Sequence, residues 1–181
     1  MPPDVYTIGH SNQASEALLA LLQTHGIEVL VDIRRFPGSR RLPQFNRENL
    51  EAALAEAGIE YVWMEALGGR RAKRKDFDSP NVGLRNDSFR NYADYMLTDE
   101  FRAAMNELET IAAARRTAIM CSESLFWRCH RRLVSDDLVA RGGTVTHIFP
   151  DGTTQPHTLT AGAQVTGGIV TYPGEKTLFD E

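Results

Sequence analysis

A chain of 181 residues with 42% hydrophobic and 24% charged content has the size and composition of a globular domain, not of a fibrous, disordered or disulfide-scaffolded chain. No apolar run is long enough to span a bilayer, the opening Met-Pro-Pro-Asp lacks a signal peptide's basic and apolar regions, and only two Cys are present, so a cytoplasmic protein with reduced thiols and no membrane contact is expected. The net charge of -4 argues against a generally basic nucleic-acid binder, but charge is segregated: residues 34–47 hold five Arg and no acid, and residues 70–75 hold five basic residues.

Val5 to Gly9 reads as a first strand, followed by His10-Ser11. Leu18, Leu19, Leu21 and Leu22 mark a helix over 14–24 that Gly26 closes. Glu28 to Ile33 is a second strand with Asp32 near its end. Pro37, Gly38 and Pro43 then exclude regular structure until Asn46, which can cap a helix running to about Ala57. Ile59 to Met64 is a third strand, and Leu67-Gly68-Gly69 opens a long basic loop reaching to about Asp87, expected to be a functional lid or disordered. Two helical stretches follow, Phe89 to Leu97 and Phe101 to Ala114, with Thr98 as the cap between them. Thr117 to Met120 is a fourth, buried strand, and a helical pattern starts at about Trp127 and stops at Gly142-Gly143. Thr144 to Phe149 is a fifth strand, and a β-like or irregular tail occupies 151–181.

Strands alternating with helices, without repeats or a dividing linker, imply a single α/β domain over 1–181 with a mainly parallel sheet and right-handed crossovers. In such a sheet all strand C-termini share one edge. His10, Ser11, Asp32, Arg34, Glu65, Cys121, Glu123 and His147 are thereby expected to converge there, beside Cys129, His130 and Arg131.

Each of these residues has a functional and a bland reading. Cys121 beside a helix start and Arg suggests a thiolate nucleophile, yet a buried apolar thiol fits better, because Glu123 opposes ionisation. The Cys121-to-Arg128 spacing is one residue too long for a phosphatase-type loop. Cys121, Cys129 and His130 match no standard metal spacing, so neither a metal nor another cofactor is expected. Asp32 and Glu123 suit a general acid/base pair, with ion pairing to Arg34, Arg131 or Arg132 as the structural alternative. His130 and His10 suit proton transfer near neutrality. Arg34, Ser39, Arg40, Arg131 and the Gly68-Gly69 backbone suit an anion, and Phe36, Phe45, Trp63 and Trp127 suit stacking on a base or core packing.

The chain also resembles a known family, the bacterial and archaeal domain of unknown function 488 (DUF488). The resemblance is carried by Thr7-Ile8-Gly9-His10-Ser11, by Val31-Asp32-Ile33-Arg34 with Pro37, Ser39, Arg40, Pro43 and Phe45, and by Tyr61, Leu67-Gly68-Gly69, Tyr92 and Met96. Met120-Cys121 with Glu123, Cys129-His130-Arg131 and His147-Ile148 complete it, so that it covers about residues 5–150. It implies a three-layer, Rossmann-like α/β fold and names no reaction.

Two function classes follow. The first is an enzyme working by acid/base chemistry on a phosphate-bearing substrate, a nucleotide or nucleic acid. Its catalytic candidates are Asp32, Glu123, His130, Cys121 and Cys129, and its binding candidates are His10, Ser11, Arg34, Ser39, Arg40, Gly68, Gly69, Arg131 and His147. The alternative is a non-catalytic module that binds nucleic acid or protein. The final residues admit a sharper reading too. Leu178-Phe179 resembles the peptides by which bacterial replication and repair proteins bind the sliding clamp, although Glu175 stands where Gln is expected. Docking of that pair on the protein's own surface is the simpler expectation.

Overall fold

The computed structural model describes residues 2–174, so the Leu178-Phe179 pair lies outside the described residues. The strands are β1 (Asp4–Gly9), β2 (Val29–Asp32), β3 (Glu60–Trp63), β4 (Thr117–Cys121), β5 (Thr144–Ile148), β6 (Thr154–Pro156), β7 (Gln164–Thr166) and β8 (Ile169–Thr171). The helices are α1 (Ser15–Thr24), α2 (Arg47–Glu56), α3 (Asp87–Tyr95), α4 (Asp99–Ala114) and α5 (Arg131–Ala140). No helix of the described residues is long and apolar enough to cross a membrane.

Six strands form one sheet in the order β3-β2-β4-β1-β5-β6. Every pairing is parallel except β5 with β6. β2 and β4 are buried at every position, as strands covered on both faces must be. Alternate side chains feed two cores. Ile8, Leu30, Ala118 and Met120 pack with α1 and α2 through Leu18, Leu22, Leu50 and Leu54. Val5, Val31, Ile119 and Cys121 pack with α3, α4 and α5 through Tyr92, Phe101, Leu108 and Leu133. The result is the expected α/β architecture, helices on both faces of a mainly parallel sheet.

The connection leaving β2 travels outward on the α1/α2 face, while that leaving β4 travels the other way on the α5 face. Divergent connections from neighbouring strands open a crevice beyond their C-terminal ends. That crevice is where the site lies.

Three regions differ from the sequence reading. The last helix begins at Arg131, because residues 126–128 form a separate single turn and Cys129 is extended. The basic loop follows a fixed path: Asn81 is fully buried, donating to Asp94 (2.8 Å) and accepting from the Tyr172 backbone N–H (2.9 Å). Arg71 and Arg74 serve that path, donating to the carbonyls of Gly68 and Asp94 and covering the rings of Tyr95 and Phe77. Finally, the tail is integral. β6 extends the sheet, and Val170 and Tyr172 at the β7–β8 hairpin join the core around α5.

Candidate functional site

A cleft of 480 Å³ opens past β1, β2 and β4. Its buried inner end is made by His10, Arg34, Cys121 and Tyr92 together with Cys129 and His130, and its mouth by Arg35, Phe36, Arg70, Glu123 and Arg128. Of the sequence candidates, His10, Arg34, Ser39, Gly69, Cys121, Glu123, Cys129 and His130 line it; Ser11, Asp32, Arg40, Gly68, Arg131 and His147 do not.

Asp32 has no exposed surface and its carboxylate is fully engaged. It accepts from the Arg34 backbone N–H (3.0 Å), from Nε (2.9 Å) and Nη2 (2.7 Å) of that side chain, and from the Tyr61 hydroxyl (2.6 Å). Glu123 instead stands exposed at the mouth. Their expected acid/base pairing is therefore not formed; the ion-pair alternative with Arg34 is. Arg34 extends its Nη1 toward His10 Nε2 at 3.4 Å.

Both histidines are held neutral. His10 Nδ1 bonds the Ser11 carbonyl (2.7 Å), which makes it the protonated nitrogen and leaves Nε2 as the acceptor facing Arg34. Its ring stacks on Phe45 with centroids 4.4 Å apart. Burial lowers its pKa to about 4. His130 donates from Nε2 to the Ile33 carbonyl (2.7 Å), and burial lowers its pKa to about 4 as well. Burial thus favours the neutral imidazole at both positions, and both rings wall the cleft.

The glycines work by closeness. The Gly68 N–H is already spent on the Glu65 carbonyl (2.8 Å), and a Cβ at Gly68 would sit 2.5 Å from the Arg35 Cα. At Gly69 a Cβ would meet His130 Nδ1 at 2.9 Å. The pair thus packs the loop onto the site, and of the two expected anion donors the Gly68 N–H is already taken. Ser39 also shapes backbone, donating its N–H to Asn46 (2.5 Å) and accepting from the Leu42 N–H (3.1 Å). Arg40 lies in a separate shallow groove beside Arg47 and Trp63.

The two thiols are paired. Their sulfurs lie 2.8 Å apart, Cys121 at the end of β4 and Cys129 just before α5. Burial pushes the Cys121 thiol well up. Burial also acts upward on Cys129, but the Cys121 hydrogen bond, the charge of Arg131 and the Arg131 backbone N–H outweigh it and bring Cys129 down to about 7. The Glu123 carboxylate, expected to oppose a thiolate, stands exposed at the mouth, and its backbone carbonyl lies 3.7 Å from the Cys121 sulfur.

Arg131 is 1% exposed, beneath the cleft. Its Nη2 donates to the carbonyls of Glu123 (2.9 Å) and Ser124 (3.3 Å), and its Nη1 to Thr7 Oγ1 (3.3 Å). From Thr7 a buried chain runs to His147 Nδ1 (2.5 Å), from His147 Nε2 to His157 Nδ1 (2.8 Å), and from His157 Nε2 to Asp136 (2.7 Å). Only one arrangement of protons satisfies every member: Arg131 donates to Thr7, Thr7 to His147, His147 to His157, His157 to Asp136. Burial drives the pKa of His147 far down, in keeping with its neutral role. Tyr172 donates to the second Asp136 oxygen (2.6 Å). Arg131 and His147 are hence structural, one storey below the cleft, contrary to the expectation that they bind ligand. Thr7 lies in the Thr7–Ser11 motif but carried no role in the sequence reading, and Asp136, His157 and Tyr172 had no motif to mark them; an Asp among the apolar positions of the α5 pattern was the sole signal.

Among the described residues, no group of three or more His, Cys, Asp or Glu is arranged to hold a metal ion.

Fold and site together define an open, doubly wound α/β protein with a thiol at the base of an arginine-rimmed crevice. The model of the family described as domain of unknown function DUF488 matches residues 14–138, and the chain belongs to that family. The match spans α1 through most of α5 and excludes the Thr7–Ser11 and His147–Ile148 motifs. No curated protein and no solved structure matches the chain.

Proposed function

We propose that the protein is an enzyme that binds a phosphate-bearing substrate, a nucleotide or nucleic acid, in this cleft and uses the Cys129 thiolate as its attacking or proton-accepting group. The observation that carries the reading is one thiol with a pKa of about 7 lining a cleft that four guanidiniums, Arg34, Arg35, Arg70 and Arg128, also line. A group poised near working pH is what proton transfer and nucleophilic attack require. Guanidiniums pair with phosphate oxygens in forked geometry. Phe36, 64% exposed at the mouth beneath Arg35, offers a face for a base.

Arg34 is unsuitable for a binding test, since removing it strands the buried Asp32 carboxylate. Arg70 and Arg128 are exposed and make no ion pair among the described residues. Iodoacetamide should alkylate Cys129 with a rate that rises through pH 7, and a nucleoside monophosphate should slow that reaction and raise the melting temperature. In the double variant Arg70→Ala, Arg128→Ala the concentration needed for protection should rise about tenfold or more. Absence of protection and of any thermal shift with phosphate, nucleotide and short oligonucleotide would defeat the reading.

A further inference from the structure

The function proposed above uses Cys129 and leaves Cys121 without a task. Cys121 is buried, is not a ligand to anything, and has its sulfur 2.8 Å from that of Cys129. Formation of a disulfide requires an S–S distance of about 2.05 Å, so the sulfurs need approach by less than about 1 Å. The two residues sit on different elements, the end of β4 and the segment before α5, with a single turn between them. Cys129 has the extended backbone of a linker and not of a helix, which leaves it freer to adjust than a residue within α5.

The asymmetry of the pair assigns the roles. Both line the cleft, but Cys129 is the more exposed and the more acidic sulfur, while Cys121 is buried and holds its proton. Arg131 Nε lies buried with no hydrogen-bond partner, and an anionic Cys129 sulfur is an acceptor that its guanidinium favours.

We propose that Cys121 and Cys129 form a peroxide-reactive dithiol in which Cys129 is oxidised first and Cys121 resolves it as an intramolecular disulfide. The oxidant is a hydroperoxide small enough for the cleft. The Cys129 thiolate attacks one oxygen; an S–O bond forms, the O–O bond breaks, and hydroxide, or alkoxide from an alkyl hydroperoxide, leaves. Sulfur is oxidised to sulfenic acid and the peroxide reduced. The Cys121 sulfur then attacks the Cys129 sulfur, the S–O bond breaks, and hydroxide leaves with the Cys121 proton as water. A small thiol reverses the bond by exchange. The disulfide removes the very thiolate on which the proposed catalysis depends, so oxidation silences the site reversibly and shields Cys129 from the irreversible sulfinic state.

The inference rests on Cys129 as the reactive thiol, and not on phosphate as the ligand. The test is hydrogen peroxide added at neutral pH to the full-length protein, followed by mass spectrometry of the intact chain and of its peptides. Wild type should lose the mass of two hydrogens, yield a Cys121–Cys129 cross-linked peptide and regain both thiols with dithiothreitol. Cys121→Ser should instead give a Cys129 adduct with dimedone and proceed to sulfinic acid, while Cys129→Ser should take up neither label. The wild-type measurement stands even if a variant fails to fold. Stable sulfenic or sulfinic acid at Cys129 in wild type, without cross-link, overturns the dithiol and leaves the proposed function intact. Failure of iodoacetamide to alkylate Cys129 near pH 7 overturns both.

Discussion

Gly9 shows how little room the site allows. It ends β1 opposite Cys121, and a Cβ there would lie 1.7 Å from the Glu123 carbonyl oxygen. That oxygen accepts from Arg131 and lies 3.7 Å from the Cys121 sulfur, so the turn between the thiols is pressed against β1 and tied down on its other side. Gly9→Ala should push the turn away, cost more than about 3 kcal/mol in chemical denaturation and loosen the cysteine pair. A variant as stable as wild type would mean the turn moves at no cost. At this scale much of the site was readable from sequence: His10, Arg34, Cys121, Cys129 and His130 do meet. Their meeting follows from strand ends sharing an edge, which pattern reveals. What sequence left open was which charges are spent internally. Asp32 and Arg131 look like site residues in any list of charges, and only burial shows that Tyr61, Arg34 and Thr7 have claimed them.

Among the elements, α5 is the most unusual. Ser135, Asp136 and Asp137 are all fully buried, on a helix otherwise packed by Leu133, Val134 and Leu138. Asp137 is matched by Arg102 (2.7 Å) and Arg141 (2.9 Å), while Asp136 depends on the tail: His157, the Thr160 N–H and Tyr172. Tyr172→Phe keeps the ring and strips one donor from a buried carboxylate, so a loss of about 1–3 kcal/mol is expected from urea denaturation. Loss well below that would place solvent at Asp136. Periodicity located the elements of the parallel sheet but missed this arrangement. The tail's polar alternation reads as solvated β structure, and nothing local tells that His157 and Tyr172 turn inward toward an aspartate from another element. Likewise the spacing of Leu133, Leu138 and Val139 reads back to a helix start at about Trp127; Phe126 stacks on His147 with ring centroids 3.6 Å apart, which holds that turn apart from α5.

For the molecule as a whole, the buried histidines set the response to acid. His10, His130 and His147 remain neutral in the fold, with pKa values lowered from 6.5, the first two to about 4. In the unfolded chain each binds a proton near pH 6.5. A group whose folded pKa is lowered contributes stability that is present above the unfolded value and is lost as pH falls toward the folded one. The histidines' contribution should therefore be flat above pH 6.5 and fall between 6.5 and 4, with a limiting slope of roughly 4 kcal/mol per pH unit for three protons. Denaturation midpoints measured across that window check this, and a profile level down to pH 5 would mean that the histidines are already protonated in the fold.

The relay from Arg131 to Asp136 also bears on how the protein is made. A chain emerging from the ribosome exposes β1 to α5 before His157 and Tyr172 exist outside the tunnel. Until they arrive, Asp136 has neither its imidazole nor its phenol partner, and burying it is unfavourable. The nascent sheet can pair, yet α5 cannot settle with its polar face inward, and the Arg131 beneath the thiols stays unanchored. Completion of the floor beneath the cleft thus waits on the segment through Tyr172, so that Arg131 is anchored only in a molecule whose synthesis has passed that residue.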